Sequence, residues 1–462
     1  MKKLLLALSI LVSVKVTYAQ QYSLFGTKTL FDAFENPSQK SFTLDSSRKF
    51  SSNFFLPYFG ANSANRGDAE YAVRRLTQEG IIDTEQLPIG TGEVNHFYEN
   101  SNVYVAALRI FKSYKYQKEM GFAWQIRSDS HVDYTNETLV IFDYYRRFLD
   151  YPNLNDGIFN TKGYQQTYHQ FSFTYRENYN KQLAFGIKAS LLSGILYNNL
   201  NISDSYFNAD PASIGLTGTY SSNFSNTKEI KGKTFFPTFK NPGLSLSFGT
   251  NYTTKKGLFL MANIKDLGFI WWRNNTHETS INSSEPIDLS GNQASTNQEI
   301  KDIFLLSPQS KKFLAPTNAK ADVYISKAYG FYKPGLVVSK NLFYKGGDIA
   351  LINTFSYNDF SASVTPLYNL NNIFMLGLQG KYQTPNFEVF LGTDNLISSA
   401  HQAYGMLKER TSGSGPNGAS FYMGVGIKFG NIVNHPQFSD TMPGINENES
   451  FFKSLFSIFK RR

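Results

Sequence analysis

The chain has 462 residues, a formal net charge of +9 and no cysteine, with 41 Phe and 29 Tyr against only 3 Trp. The lack of thiols excludes disulfides and thiolate metal sites. Beyond the N-terminus no run of about 18 apolar residues occurs, which excludes a bundle of membrane-spanning helices.

Met1–Ala19 has a basic start (Lys2, Lys3), an apolar centre from Leu4 to Val14, and small residues Thr17 and Ala19. This is the pattern of a secretory signal peptide cut after Ala19, and its apolar centre is too short to cross a bilayer as a helix. Gln20 in place of Cys gives no sign of a lipid-modified terminus. Within Gln20–Ser47, Leu30–Phe34 has the composition of one helical turn that Pro37 would stop. Arg48–Tyr58 reads as a first strand, and Ala69, Ala72, Val73 and Leu76 give helical spacing within Gly67–Glu79.

Alternation then dominates. Tyr104, Ala106, Leu108 and Ile110 share one face; Phe122, Trp124 and Ile126 oppose Gln125 and Arg127. Phe171, Phe173 and Tyr175 oppose Arg176, while Leu183–Leu191 sets apolar residues against Gly186, Lys188 and Ser190. The same rhythm marks Leu244–Gly249 and Leu258–Lys265, then six closely spaced strands between Ala321 and Asp394. It is clearest at Phe421–Phe429, where Phe421, Met423, Val425, Ile427 and Phe429 alternate with Tyr422, Gly424, Gly426 and Lys428. Successive strand side chains point to opposite faces, so each segment has one greasy face and one small or polar face. The short Lys/Asn/Gly/Pro-rich turns between them leave no room for the crossovers of a parallel sheet.

The expected fold is therefore all-β, a transmembrane antiparallel up-and-down β-barrel of about 14 strands. An even count requires Asn199–Asn241, including the strand-like Ile214–Tyr220, to form one external excursion. Long segments at Phe59–Ser101, Asp129–Gly163, Arg273–Thr317 and Asn395–Gly418 then fall outside, and short turns fall in the periplasm. The expected organisation is a signal peptide at 1–19, an interior segment at 20–47, a barrel at 48–429, and a linker with an amphipathic helical tail at 430–462. Phe452, Leu455, Phe456 and Phe459 give that tail one apolar face for a membrane surface or the barrel mouth.

Three stretches carry a family likeness: FDAFENPSQKSF at Phe31–Phe42 with the DSSRKFSSNFFLP that follows nearby, IKDLGFIWW at Ile264–Trp272, and GTDNLI at Gly392–Ile397. Through them the chain resembles a Bacteroidota outer-membrane family similar to FadL-type (long-chain fatty-acid transporter) and PorV-type barrels. The resemblance implies a 14-stranded barrel whose N-terminal segment, including Asn36 and Pro37, enters the lumen as a hatch. The extension past Phe429 departs from it, because barrel-assembly machinery normally reads a terminal aromatic.

Chemistry has little sequence support. Gly413-x-Gly415-x-x-Gly418 lacks the strand–helix context of a dinucleotide site and reads as an external loop. His96, His131, His169, His277, His401 and His435 show no metal-ligand spacing and read as loop or surface residues. No hydrolase motif occurs, so the expectation is a non-enzyme without cofactor. Trp271 and Trp272 read as interfacial belt residues. Polar faces turned inward give Arg109, Arg127, Arg176, Lys188, Lys265 and Lys428 against Asp322, Glu388 and Asp394 as lumen-lining candidates, since charge at mid-bilayer is costly. The favoured reading is that these groups fix the hatch through charge-assisted hydrogen bonds; a basic lumen attracting anions is the other. Gly-rich inward positions are expected to leave space for a solute.

The expected role is passive transfer of a small or amphipathic solute through a hatch-gated lumen in the outer membrane. The alternative is a non-conducting scaffold for secretion or surface proteins. Expected partners are outer-membrane lipid, the barrel-assembly machinery, and a small solute or a surface protein. Scattered positive charge gives no nucleic-acid footprint.

Overall fold

The computed structural model describes residues 24–41, 48–113, 117–151, 154–209, 212–224, 232–282, 287–288, 292–305, 309–370, 372–408 and 417–430. The expected signal peptide, the amphipathic tail, Gly413 and Gly415 lie outside them. Fourteen antiparallel strands close into a barrel. They are β1 (Phe50–Ser52 continued by Tyr58–Arg66), β2 (Val94–Ser113), β3 (Lys118–Thr135), β4 (Thr161–Asn178), β5 (Leu183–Ala209), β6 (Pro242–Thr253) and β7 (Leu258–Trp272). Then follow β8 (Phe313–Pro316 continued by Lys320–Lys327), β9 (Tyr332–Asn341), β10 (Gly347–Tyr357), β11 (Phe360–Asn369), β12 (Ile373–Gln383), β13 (Phe387–Thr393) and β14 (Asn417–Phe429). Closure is made by β14, whose Phe429 pairs with Phe50 and whose Met423 pairs with Phe59.

Alternation places the apolar rows outside. On β6, Leu244, Leu246 and Phe248 are about half exposed while Ser245 and Ser247 are buried. The six strands β8–β13 repeat this with Val323, Leu336, Ile349, Val364, Phe374 and Leu391 outward. No helix among the described residues is long and apolar enough to cross a membrane.

The wall is not uniform in height. β5 has 27 residues and continues outside the barrel, where it pairs with Ala212–Ser222. That hairpin in turn pairs with His277–Ile281, so Ile214–Tyr220 is an excursion and not a spanning strand. By contrast β13 has 7 residues. Over the tall side the loops build their own apolar cluster, with Val140 on helix Asn136–Tyr144, Tyr145 and Phe148 beyond it, and Ile202, Ile214 and Ile300 packed against them.

The first strand departs from the expectation. It breaks at residues 53–57, and its second half, Tyr58–Arg66, belongs to the wall instead of an external loop. Asn53 explains the break: its Oδ1 accepts from Ala107 N at 2.8 Å and its Nδ2 donates to Leu56 O at 2.9 Å. Phe54 and Phe55 take positive φ of 47° and 62° there, a region that side chains with a Cβ seldom enter. Beyond its opening Tyr58 and Phe59, the sequence YFGANSANR is small or polar on both faces, so it carries no alternating signal. The helix expected within Gly67–Glu79 is present at Glu70–Glu79.

Candidate functional site: the occupied barrel interior

Residues 24–41 lie inside the barrel. Asp32 folds the segment locally, its carboxylate accepting from Thr27 N (2.8 Å), Lys28 N (2.9 Å) and Thr29 Oγ1 (2.6 Å). These bonds satisfy N–H groups ahead of the single turn α1 (Asp32–Glu35). The helix ends at Asn36, whose backbone is extended ahead of Pro37, as a residue before proline prefers. Asn36 Oδ1 then accepts from Ser38 N at 3.0 Å. Leu30, Phe31 and Phe34 are fully buried. Phe31 lies 5.1 Å, 5.2 Å and 6.1 Å between ring centroids from Tyr58, Tyr104 and Phe390, on β1, β2 and β13.

Glu35 is the electrostatic centre. Its Oε1 accepts from Tyr104 Oη at 2.5 Å and Asn102 Nδ2 at 2.8 Å, and its Oε2 pairs with Lys265 and with Arg127 at 3.6 Å. Arg127 also pairs with Asp266, and Lys188 Nζ stands 2.9 Å from the same carboxylate. Every member is buried, so each charge depends on its partners for the solvation that water would supply.

Cationic side chains also grip the segment's main chain. Lys188 donates to Phe34 O (2.8 Å), Arg176 to Ser38 O (2.8 Å), Lys333 to Gly26 O (3.0 Å) and Lys381 to Thr27 O (2.6 Å). Two carboxylates receive its N–H groups: Glu388 from Leu30 (2.6 Å) and Glu119 from Ser41 (3.1 Å). Arg109 pairs with Glu119 at 2.8 Å, and Lys428 lies 3.9 Å from Glu388. Asn263 joins the site to Asp322, donating to Glu35 O (3.1 Å) and to Asp322 Oδ2 (3.3 Å). Asp394 sits apart at the outer end of β13, its N–H donating to Ser420 Oγ at 2.9 Å. The structure thus gathers eight of the nine inward charges around one segment and leaves Asp394 near the mouth.

Three expectations need correcting, and three residues escaped the sequence reading. The inward glycines do not leave space for a solute. A Cβ on Gly186 would collide with the Pro37 carbonyl and one on Gly249 with the Asn36 side chain, so their bareness admits the segment itself. Trp272 is fully buried against Tyr197 at 5.2 Å, whereas Trp271 faces out; adjacent residues on one strand cannot share a belt. His169 is wholly buried and His131 nearly so, not surface residues. Glu35, Glu119 and Asp266 were missed altogether. Glu119 was legible, since it shares by alternation the inward face of Gln125 and Arg127 on β3. Asp266 was not, because it takes a φ of 52° at a register shift between β6 and β7. That bulge turns inward a side chain that strict alternation would point out.

The opposite wall is different. Tyr324, Val337, Ala350, Leu367, Ile373 and Met375, from β8–β12, form an apolar cluster that Ala64 and Tyr98 of the facing wall join. Above it the turn at 342–346 reaches β3 and β4, with Lys345 Nζ 2.8 Å from Asp133 and the Tyr344 ring 3.9 Å from Tyr164. Among the described residues no group of three or more His, Cys, Asp or Glu is placed to hold a metal ion.

A closed 14-strand barrel whose interior is filled by its own N-terminal segment is the class these features define. Residues 55–394 match the model of the Family of unknown function (DUF5723), and the chain belongs to that family. No curated protein matched the sequence. Among solved structures the chain is similar to a TodX deltaS2S3 mutant monoaromatic hydrocarbon channel, at 8% identity and a TM-score of 0.43, covering 90% of this chain and 97% of that one. It is also similar to the Ralstonia pickettii toluene transporter TbuX, at 8% identity and 0.43, covering 86% and 93%. The P. putida toluene transporter TodX gives 8% identity and 0.41, covering 87% and 95%. At this level they say nothing of what this chain carries.

Proposed function

We propose that this protein is an outer-membrane barrel, delivered by a signal peptide cut near Ala19, that passes a small or amphipathic solute through a lumen gated by residues 24–41. One observation carries the reading. Arg176, Lys188, Lys333 and Lys381 hold the segment by its main-chain carbonyls. A plug fixed by hydrogen bonds can exchange them for water as it withdraws, at a small net cost per bond. The buried Leu30, Phe31 and Phe34 and the Glu35 ion pairs add the cost that keeps the segment seated at rest.

The absence of cysteine gives a clean test. Asn36→Cys with Gly249→Cys places two thiols where the segment meets β6. In planar bilayers and loaded liposomes, deletion of residues 20–47 is expected to raise flux, the oxidised pair to abolish it, and reductant to restore it. A deletion that opens no pore, together with a cross-link that changes nothing, refutes gating. The loop-built apolar cluster outside the barrel favours a second reading, a scaffold for a surface protein. Stoichiometric co-purification with such a partner, undiminished by the cross-link, would support it.

A further inference from the structure

The outer wall carries a feature the interior does not use. A groove of about 760 Å³ opens on the outer faces of β3–β7, lined by Phe122, Phe173, Leu191, Leu246, Leu267 and Phe269, with Ser190 and Ser245 in its floor. Its volume is that of a ligand pocket, and its walls are almost entirely apolar.

The loop ahead of β6 descends over this wall. His169 is buried beneath it: Trp124 Nε1 donates to His169 Nδ1 at 3.2 Å, which leaves Nε2–H to donate to Phe235 O at 2.9 Å. Phe239 takes a φ of 52°, its N–H donates to Ser193 Oγ at 3.0 Å, and its ring lies 5.5 Å from Phe171, which also lines the groove. A positive φ at an aromatic residue is costly, and here it sets the ring against the groove's rim. Phe235, Phe236 and Phe239 remain 40%, 69% and 43% exposed.

Two exposed cations stand at that rim. Arg273 follows the outer end of β7, its Nε donates to Lys240 O at 3.1 Å, and its guanidinium lies 4.8 Å from the Trp271 ring. Asn241 Oδ1 fixes the corner by accepting from Arg273 N at 3.0 Å and Asn274 N at 2.8 Å. Apolar groove, aromatic rim and two exposed cationic residues joined through the Lys240 carbonyl succeed one another along the wall, matching acyl chain, interface and headgroup of one lipid molecule.

We propose that this face is a lipid-binding site that takes an acyl chain in the groove and a net-anionic, phosphate-bearing headgroup at Lys240 and Arg273. The inference rests on the outer-membrane reading given above. The test is native mass spectrometry of the full chain released from nanodiscs of equimolar phosphatidylglycerol and phosphatidylcholine with identical acyl chains. The unaltered protein should retain the anionic lipid over the zwitterionic one by about fivefold for each cation engaged. Lys240→Gln with Arg273→Gln should keep a bound lipid but lose the preference, and Leu246→Trp should lose retention of either lipid. The double variant changes only exposed side chains, so it remains informative should the tryptophan variant fail to fold. Equal retention of both lipids by the unaltered protein, or an unchanged preference in the double variant, overturns the inference. Displacement of the lipid by millimolar inorganic phosphate also overturns it, since the site would then be an anion site alone. Failure of the protein to enter discs at all refutes the outer-membrane reading instead.

Discussion

The two walls of the barrel hold their contents by different chemistry. The tall side, β2–β7, presents Arg127, Lys188 and Lys265 to the N-terminal segment with Glu35 and Asp266 as their counter-charges, and sets Arg109 and Arg176 beside Glu119. The short side, β8–β12, presents Val337, Ala350, Leu367, Ile373 and Met375. Its lysines reach only the start of the segment, at Gly26 and Thr27. The difference teaches where position is specified and where space is merely filled. Charged groups demand particular partners, whereas an apolar cluster tolerates exchange at constant volume.

Breaking the charged side should have the largest effect. Glu35→Ala strands Lys265 and Arg127 beside one remaining carboxylate and is expected to cost about 3–5 kcal/mol, read by urea unfolding in micelles with tryptophan fluorescence. A loss below about 1 kcal/mol would erase the contrast between the walls. On the apolar side Leu367→Ala is expected to cost about 3 kcal/mol in the same titration, and Leu367→Met should restore most of it. Gly186→Ala presses a methyl group on the Pro37 carbonyl. It should cost about 1–3 kcal/mol and displace the segment, seen as faster trypsin cleavage at Lys28 and Lys40. Lys345→Ala should be smallest, under about 1 kcal/mol, because the lysine is 59% exposed in its pair with Asp133.

Much of the barrel was legible because its signal is local. Phe421–Phe429 alternates without interruption, and the structure shows Tyr422, Gly424, Gly426 and Lys428 buried between the more exposed Phe421, Met423, Val425, Ile427 and Phe429. The preference for an even strand count led to reading Ile214–Tyr220 as an excursion, and the structure pairs it outside the wall. What escaped was whatever broke the two-residue period. Tyr58–Arg66 has no greasy face to announce it, and the bulge at Asp266 reverses the side that parity assigns. Glu35 lies outside any strand, so no rhythm marks it. Its role is visible only once Tyr104, Arg127 and Lys265, remote in sequence, converge on one carboxylate.

The unequal strands have a consequence for the surroundings. A wall of 7 residues at β13 rises at most about 24 Å along the chain, and less once tilted. In a bilayer whose hydrocarbon layer is about 30 Å thick, the acyl chains beside β13 must shorten or splay, at fractions of a kcal/mol for each ångström. For the outer-membrane location proposed above, the consequence is a dimple thinner on one flank than on the other, and lipid strain alone would favour neighbours that share the thin side.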